Sequence, residues 1–183
     1  LKANKRLAKM DIKVRTNCFI NKVEADKIHL KNGEIIETST LIWTAGIKSS
    51  DYSDTLEINK GHRGKIEANE FLQSTQYENI FVIGDNAAYS DDDGPMPQIV
   101  EAAIGTAETA ANNLTNLING DELEKHHQKY NGFMVSIGSK YSVSDTAGLK
   151  LTGFLSILLK HVINMKYLIE ICGLSTLWTY WLH

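Results

Sequence analysis

Cysteine is scarce in this sequence. The 183 residues hold two, Cys18 and Cys172, too far apart to suggest a disulfide framework or a metal site, so reduced thiols are expected. An excess of one charge is also lacking: a formal net charge of −3 gives no electrostatic basis for a nucleic-acid partner. No apolar run reaches the roughly 20 residues needed to cross a bilayer; the longest uncharged stretch of the apolar tail, Ile171 to Leu182, falls far short. No signal-peptide pattern, internal repeat or low-complexity tract is present. The chain opens on Leu1, and Ala3 to Met10 reads as the end of a helix begun earlier. An excised fragment is the expectation, and a mature product cut from a longer precursor the alternative.

This length can bury one substantial core or two small ones. Residues 11–38 read as short strands: Val14, Cys18, Ile20 and Val23 alternate imperfectly, Ile28 and Leu30 flank His29, and Asn32-Gly33 is a tight-turn pair before Ile35-Ile36. Leu41 to Gly46 has the composition of a buried strand. Gly46 either supplies a backbone turn at its exit or marks a crossover between two dinucleotide domains. Residues 47–79 are polar and read as irregular structure, with Gly61 and Gly64 around Arg63.

The most informative stretch follows. Ile80-Phe81-Val82-Ile83 is long enough only for a buried strand, and it ends in Gly84-Asp85. The acidic loop Ser90 to Gly94 lacks the alternating spacing of a calcium site and reads as solvated charge. Pro97 then suits the first turn of a helix, whose stripe Ile99, Ala102, Ala103, Ala107, Ala110, Leu114 and Leu117 runs to Gly120. A strand ending in Gly-Asp beside a helix start can set a carboxylate against a cofactor hydroxyl and aim the helix's positive end at an electron-accepting ring.

Asp121 with Glu124 reads as a capping box for a short helix to Tyr130. His126 and His127 point in different directions on it, a surface pair and no metal site. Residues 133–150 read as a hairpin or small sheet turning at Gly138-Ser139. From Leu151 the composition becomes apolar, and two amphipathic helices are expected, roughly 151–163 and 165–182. Phe154, Leu155, Leu158, Leu159 and Val162 share one side of the first. Trp178, Tyr180 and Trp181 suit a membrane–water boundary, with Lys160 and Lys166 facing anionic headgroups. These helices either lie on a membrane or dock on the protein's own core or a second subunit.

Taken in order, Leu41–Gly46, Gly64-Lys65-Ile66, Asn79–Asp85, the Pro97 helix, the Gly132–Val143 hairpin and the apolar tail resemble the type II NADH dehydrogenases. These are single-subunit, non-pumping NADH:quinone oxidoreductases among the pyridine nucleotide–disulfide oxidoreductase-like flavoproteins. The resemblance implies an α/β chain: a partial two-dinucleotide-binding-domain flavoprotein fold with a C-terminal small sheet and amphipathic helices. Residues 1–40 would end the NADH-binding domain, 41–120 would be the C-terminal part of the FAD-binding domain, and 121–183 a hairpin and membrane-associating region. It further implies FAD as cofactor and NADH as substrate. Gly84 and Asp85 would contact FAD, with the Asp85 carboxylate on the ribityl chain and the backbone at Ile99 and Val100 beside the flavin ring. Quinone would be the electron acceptor. The protein would be cytoplasmic and peripheral on the inner face of the cell membrane through 151–183, and unpaired strand edges point to a homo-oligomer.

Two departures from the family stand out. Both glycine-rich phosphate loops are absent, so FAD and NADH need further sequence for tight binding and these residues alone are expected to be inactive. Where the family has two glutamines at the flavin–quinone junction, this sequence has Val100 and Ile104, with Gln98 and Glu101 nearby but out of register. Valine makes no hydrogen bond to a quinone carbonyl. Glu101 is either a proton donor to reduced quinone or a solvated charge favoured by the helix dipole. Three functions therefore stand: an NADH:quinone oxidoreductase, a flavoprotein with another acceptor, and a non-catalytic redox-sensing paralogue that binds a membrane or partner.

Overall fold

The strands are short and two long helices carry a large share of the regular structure in a mixed α/β architecture. The computed structural model describes residues 2–127 and 130–174. In chain order they form α1 (Lys2–Lys9), β1 (Ile20–Val23), β2 (Lys27–Leu30), β3 (Ile35–Glu37), α2 (Asp51–Thr55), β4 (Ile66–Glu67), β5 (Ala87–Ala88), β6 (Ser90–Asp91) and β7 (Gly94–Pro95). After these come α3 (Val100–Asn119), β8 (Gly132–Ser136), β9 (Ser142–Thr146), β10 (Leu149–Gly153) and α4 (Phe154–Cys172). Tight single turns occur at His62–Gly64 and Gly84–Asn86. The chain divides into two compact units, Leu1–Leu41 with Asn131–His183, and Ile42–Tyr130.

In the first unit, β1, β2 and β3 form the antiparallel meander that the sequence predicts, with Ile28 opposite Val23 on one side and Ile36 on the other. Ile28 and Leu30 are buried. At Asn32-Gly33 the Gly33 amide donates to Leu30 O at 3.0 Å and Asn32 Oδ1 accepts from the Glu34 amide at 3.1 Å. Val14 and Cys18 lie outside the meander and are exposed. The second sheet is antiparallel in the order β10, β9, β8, and α4 packs on it.

Three buried serines join that sheet to α4. Ser142 Oγ donates to Ser156 Oγ at 2.6 Å, and Ser156 Oγ lies 3.0 Å from Ser144 Oγ. The two tail helices expected from sequence are, over the described residues, one continuous helix. No glycine or proline interrupts Ile163-Asn164-Met165, and Lys166 pairs with Glu170 one turn on at 3.5 Å. Residues 151–153 belong to β10, so the helix begins at Phe154. Trp178, Tyr180 and Trp181 lie outside the described residues. Among the described residues no helix is long and apolar enough to cross a membrane.

In the second unit Ile66, Leu72, Val82, Ala87, Tyr89, Met96, Ala102 and Ala110 form the core. Here the sequence expectation needs correction at several points. Ile80–Ile83 is only partly a strand: Val82 is buried and donates to Leu72 O at 2.8 Å, and Phe81 bridges Gln73, but Ile80 and Ile83 are exposed. Leu41–Gly46 forms no strand, and Ile42 and Trp43 are exposed at 81% and 59%. An apolar run becomes a strand only where a neighbour accepts its ladder hydrogen bonds, and among the described residues none lies beside this one.

Helix α3 begins at Val100, three residues after Pro97, because Ile99 is extended (φ −135°, ψ 157°) and its amide turns back to Pro97 O at 3.1 Å. Its buried stripe is Ala102, Thr106, Ala110 and Asn113; Leu114 and Leu117 are exposed. Residues 121–127 form no helix. Buried Asn113 instead holds them extended, accepting from the Glu124 amide at 2.7 Å and donating to Glu124 O at 2.8 Å and Phe71 O at 3.0 Å. His126 is consequently not a surface residue. It is 3% exposed, with Nδ1 2.9 Å from Thr109 Oγ1 and its ring edge-on to Tyr89.

Candidate functional site

Gly84 is where the apolar strand segment meets α3. It is buried, with φ +56°, and a Cβ built there would lie 3.4 Å from Ala103 Cβ. Left-handed backbone and a tight neighbour both favour glycine at this position. The Gly84 amide donates to Thr106 Oγ1 at 3.0 Å. That hydroxyl in turn lies 2.8 Å from Ala102 O and 3.1 Å from Ala103 O, so its proton stays within its own helix. The turn Gly84–Asn86 is thereby fixed against the opening turns of α3.

The turn is held from its other end as well. Ser49 Oγ donates to Asn86 Oδ1 at 2.8 Å, and the Ser49 amide donates to Arg63 O at 3.0 Å. The Arg63 guanidinium lies over Gly46, where a Cβ would sit 2.0 Å from one of its nitrogens. Gly46 thus serves as close-approach backbone with φ +91°.

Between these anchors Asp85 is exposed, its carboxylate open to solvent. At the N-terminus of α3, Ile99 occupies the capping position without a side-chain hydrogen bond and is 38% exposed, and Val100 follows at 61%. The first amides of α3 are therefore free of any cap from the Ile99 side chain and carry the positive end of the helix dipole. Glu101 is half-buried in the first turn. Gln98 is half-buried just before it, and its Nε2 is shut away from solvent with no hydrogen-bond acceptor. Gly84 is brought against α3, and Gln98, Ile99, Val100 and Glu101 cluster at that helix's start.

Sequence reasoning missed Thr106 and Asn113, the polar members of the α3 stripe. Each sits three or four residues from a buried alanine, and that spacing was the available signal. The three aspartates of the acidic loop tip the β6–β7 hairpin, where Asp91 Oδ1 accepts from the Asp93 amide at 3.0 Å. Among the described residues no cluster of potential ligands could hold a metal.

A scaffold of this kind has recognisable relatives. The chain belongs to the pyridine nucleotide-disulphide oxidoreductases, whose family pattern matches residues 2–116. It is similar to the type II NADH:quinone oxidoreductase of Staphylococcus aureus strain NCTC 8325 / PS 47, with 29% identity over 160 residues, 86% of this chain and 38% of the relative. The chain thus spans well under half the length of the curated relatives it matches.

Solved structures agree on the fold. NDH2 from Plasmodium falciparum, determined in complex with NADH, superposes with a TM-score of 0.72 at 13% identity, covering 93% of this chain and 54% of that one. The sulfide:quinone oxidoreductase of Aquifex aeolicus superposes with a TM-score of 0.65 at 14% identity, covering 94% and 49%.

Proposed function

We propose that this chain is the C-terminal part of an FAD-dependent NADH:quinone oxidoreductase, with residues 1–40 ending the NADH-binding domain, 41–120 completing the FAD-binding domain and 121–183 attaching the protein to a membrane. One observation carries the reading: the Gly84–Asn86 turn is locked to the opening turns of α3 by Thr106, next to an exposed carboxylate and a helix N-terminus that the Ile99 side chain does not cap. The residues present fit a flavin. Gly84 offers bare backbone, Asp85 an open acceptor, and Gln98 Nε2 a buried donor lacking an acceptor.

When bound, the flavin supplies the hydride and electron chemistry. The chain's own residues bind and tune it. Asp85 would accept a hydrogen bond from the ribityl chain. The Val100 amide at the helix N-terminus would stabilise negative charge on the ring without reorganising, with the Ile99 backbone, its own amide bonded to Pro97 O, lying beside the ring and the two side chains keeping water from it. Neither glycine-rich phosphate loop lies in these residues, so tight binding of FAD and NADH requires the longer protein and this chain by itself turns over nothing.

The reading places the protein peripherally on the cytoplasmic face of the cell membrane, as a homo-oligomer. Phe154, Leu155, Leu158 and Val162 of α4 support that attachment, since all four are exposed. Val100 favours one alternative. It is 61% exposed and has no hydrogen-bonding side chain where the family's glutamine meets quinone, which suits another acceptor or a redox sensor.

An anaerobic visible spectrum of the full-length protein separates these readings. Flavin bands that bleach with NADH and return with a quinone analogue establish the quinone reductase. Bands that bleach without returning support another acceptor or a sensor, and the absence of flavin bands overturns the cofactor assignment.

A further inference from the structure

Four cations occupy one face of α1. Lys2, Lys5, Arg6 and Lys9 are spaced by three, one and three residues, so at 3.6 residues per turn they form a single stripe about 10 Å long. The helix contains no acidic residue. With Tyr141, from the turn between β8 and β9, they line an open cleft of about 490 Å³.

Among the described residues Arg15, Lys22, Lys48 and Lys166 each pair with a carboxylate, whereas none of the four cleft cations does. Arg6 lies over the Tyr141 ring, 5.5 Å from its centroid, and its Nε is cut off from solvent without an acceptor. The Arg6 side chain as a whole is half-buried, and a donor atom shut off from both water and an acceptor is costly. Lys2 Nζ reaches Thr152 Oγ1 at 3.5 Å, so the stripe ends two residues before Phe154, the exposed start of α4.

We propose that this cleft binds a ligand carrying two or more phosphoryl groups. Charge, length and donor type together specify the class. Several cations spread over about 10 Å suit several anionic groups. The planar fork of Arg6 matches phosphoryl oxygens, and the volume suits a small molecule. Two sources share this chemistry: the headgroup of an acidic phospholipid that carries two phosphates, and a soluble polyphosphate. The site is independent of the flavin assignment and of electron transfer.

The test uses the full chain, titrated calorimetrically with tripolyphosphate and, separately, sedimented with phosphatidylcholine vesicles with and without cardiolipin. Each cation removed is expected to weaken binding about five-fold. Arg6→Gln with Lys9→Gln therefore loses about 25-fold, whereas Lys13→Gln, outside the cleft, changes little. Circular dichroism checks the fold, and the single Lys5→Gln variant gives the one-cation step. Tripolyphosphate binding that follows this pattern supports a soluble ligand. The same pattern with cardiolipin vesicles alone supports a lipid headgroup. Binding of neither probe, or equal losses in the cleft and control variants, overturns the proposal.

Discussion

Thr106 and Gly84 are coupled by one buried hydrogen bond, the Gly84 amide donating to the Thr106 hydroxyl at 3.0 Å across 22 residues of sequence. Through it the turn that presents Asp85 is tied to the helix that presents Ile99 and Val100. The coupling predicts that Thr106→Val, nearly the same shape, leaves the amide unsatisfied and destabilises the chain by about 1–3 kcal/mol. Thr106→Ser keeps the acceptor and recovers most of the loss. Urea denaturation of the three proteins measures both.

Gly84→Ala meets two obstacles that a double mutant separates. The positive φ of 56° costs about 1–2 kcal/mol for a residue with a Cβ, and the new Cβ also sits 3.4 Å from Ala103 Cβ. Pairing it with Ala103→Gly relieves the second but not the first. Thermal melts are expected to show partial rescue, after subtracting the effect of Ala103→Gly alone.

Asn113→Ala removes three hydrogen bonds, two of them to the Glu124 backbone. Residues 121–127 are then held to α3 mainly by Asn116 and Thr109, at Glu122 O and His126 Nδ1, with a stability loss of about 1–3 kcal/mol. Trypsin reads the change locally. Cleavage after Lys125, whose side chain is exposed, is expected to accelerate well before global unfolding.

Burial, followed by the charges of Asp91, Glu70 and Asp92, raises the Tyr89 hydroxyl above its ordinary pKa. A folded-state value above the unfolded one stabilises the chain fully below about pH 10. That contribution is lost as pH rises through the folded value. Tyr89→Phe removes the bond to His126 O at 2.9 Å, lowering neutral stability by about 1 kcal/mol. Its alkaline stability profile is expected to be flatter than that of the unmodified chain.

Glu101 lies in the first turn of α3, where a negative charge complements the helix dipole. Glu101→Gln is expected to cost about 0.3–1 kcal/mol and, in the quinone reductase proposed above, to leave the pH profile of quinone reduction unchanged. Loss of that pH dependence would instead make Glu101 a proton donor.

What could be read from the sequence was local. The Asn32-Gly33 and Gly138-Ser139 turns, the meander and the small C-terminal sheet follow from nearest-neighbour patterns and form as expected. The Gly84-Asp85 step next to a helix was also legible. The misread features depended on partners distant in sequence. Asn113 captures the Glu124 backbone and prevents the capping-box helix, and Thr106 spends a core position on Gly84. Leu41–Gly46 has strand composition but no ladder neighbour among the described residues, which its apolarity could not reveal.

The serine trio at Ser142, Ser144 and Ser156 sets the roll of α4. Rotating the helix by one residue would carry Ser156 away from β9 and strand three hydroxyls in a dry contact. The trio therefore acts as a keyway: α4 can present Phe154, Leu155, Leu158 and Val162 outward in only one orientation. A surface that meets this helix encounters a ridge whose bearing is already set.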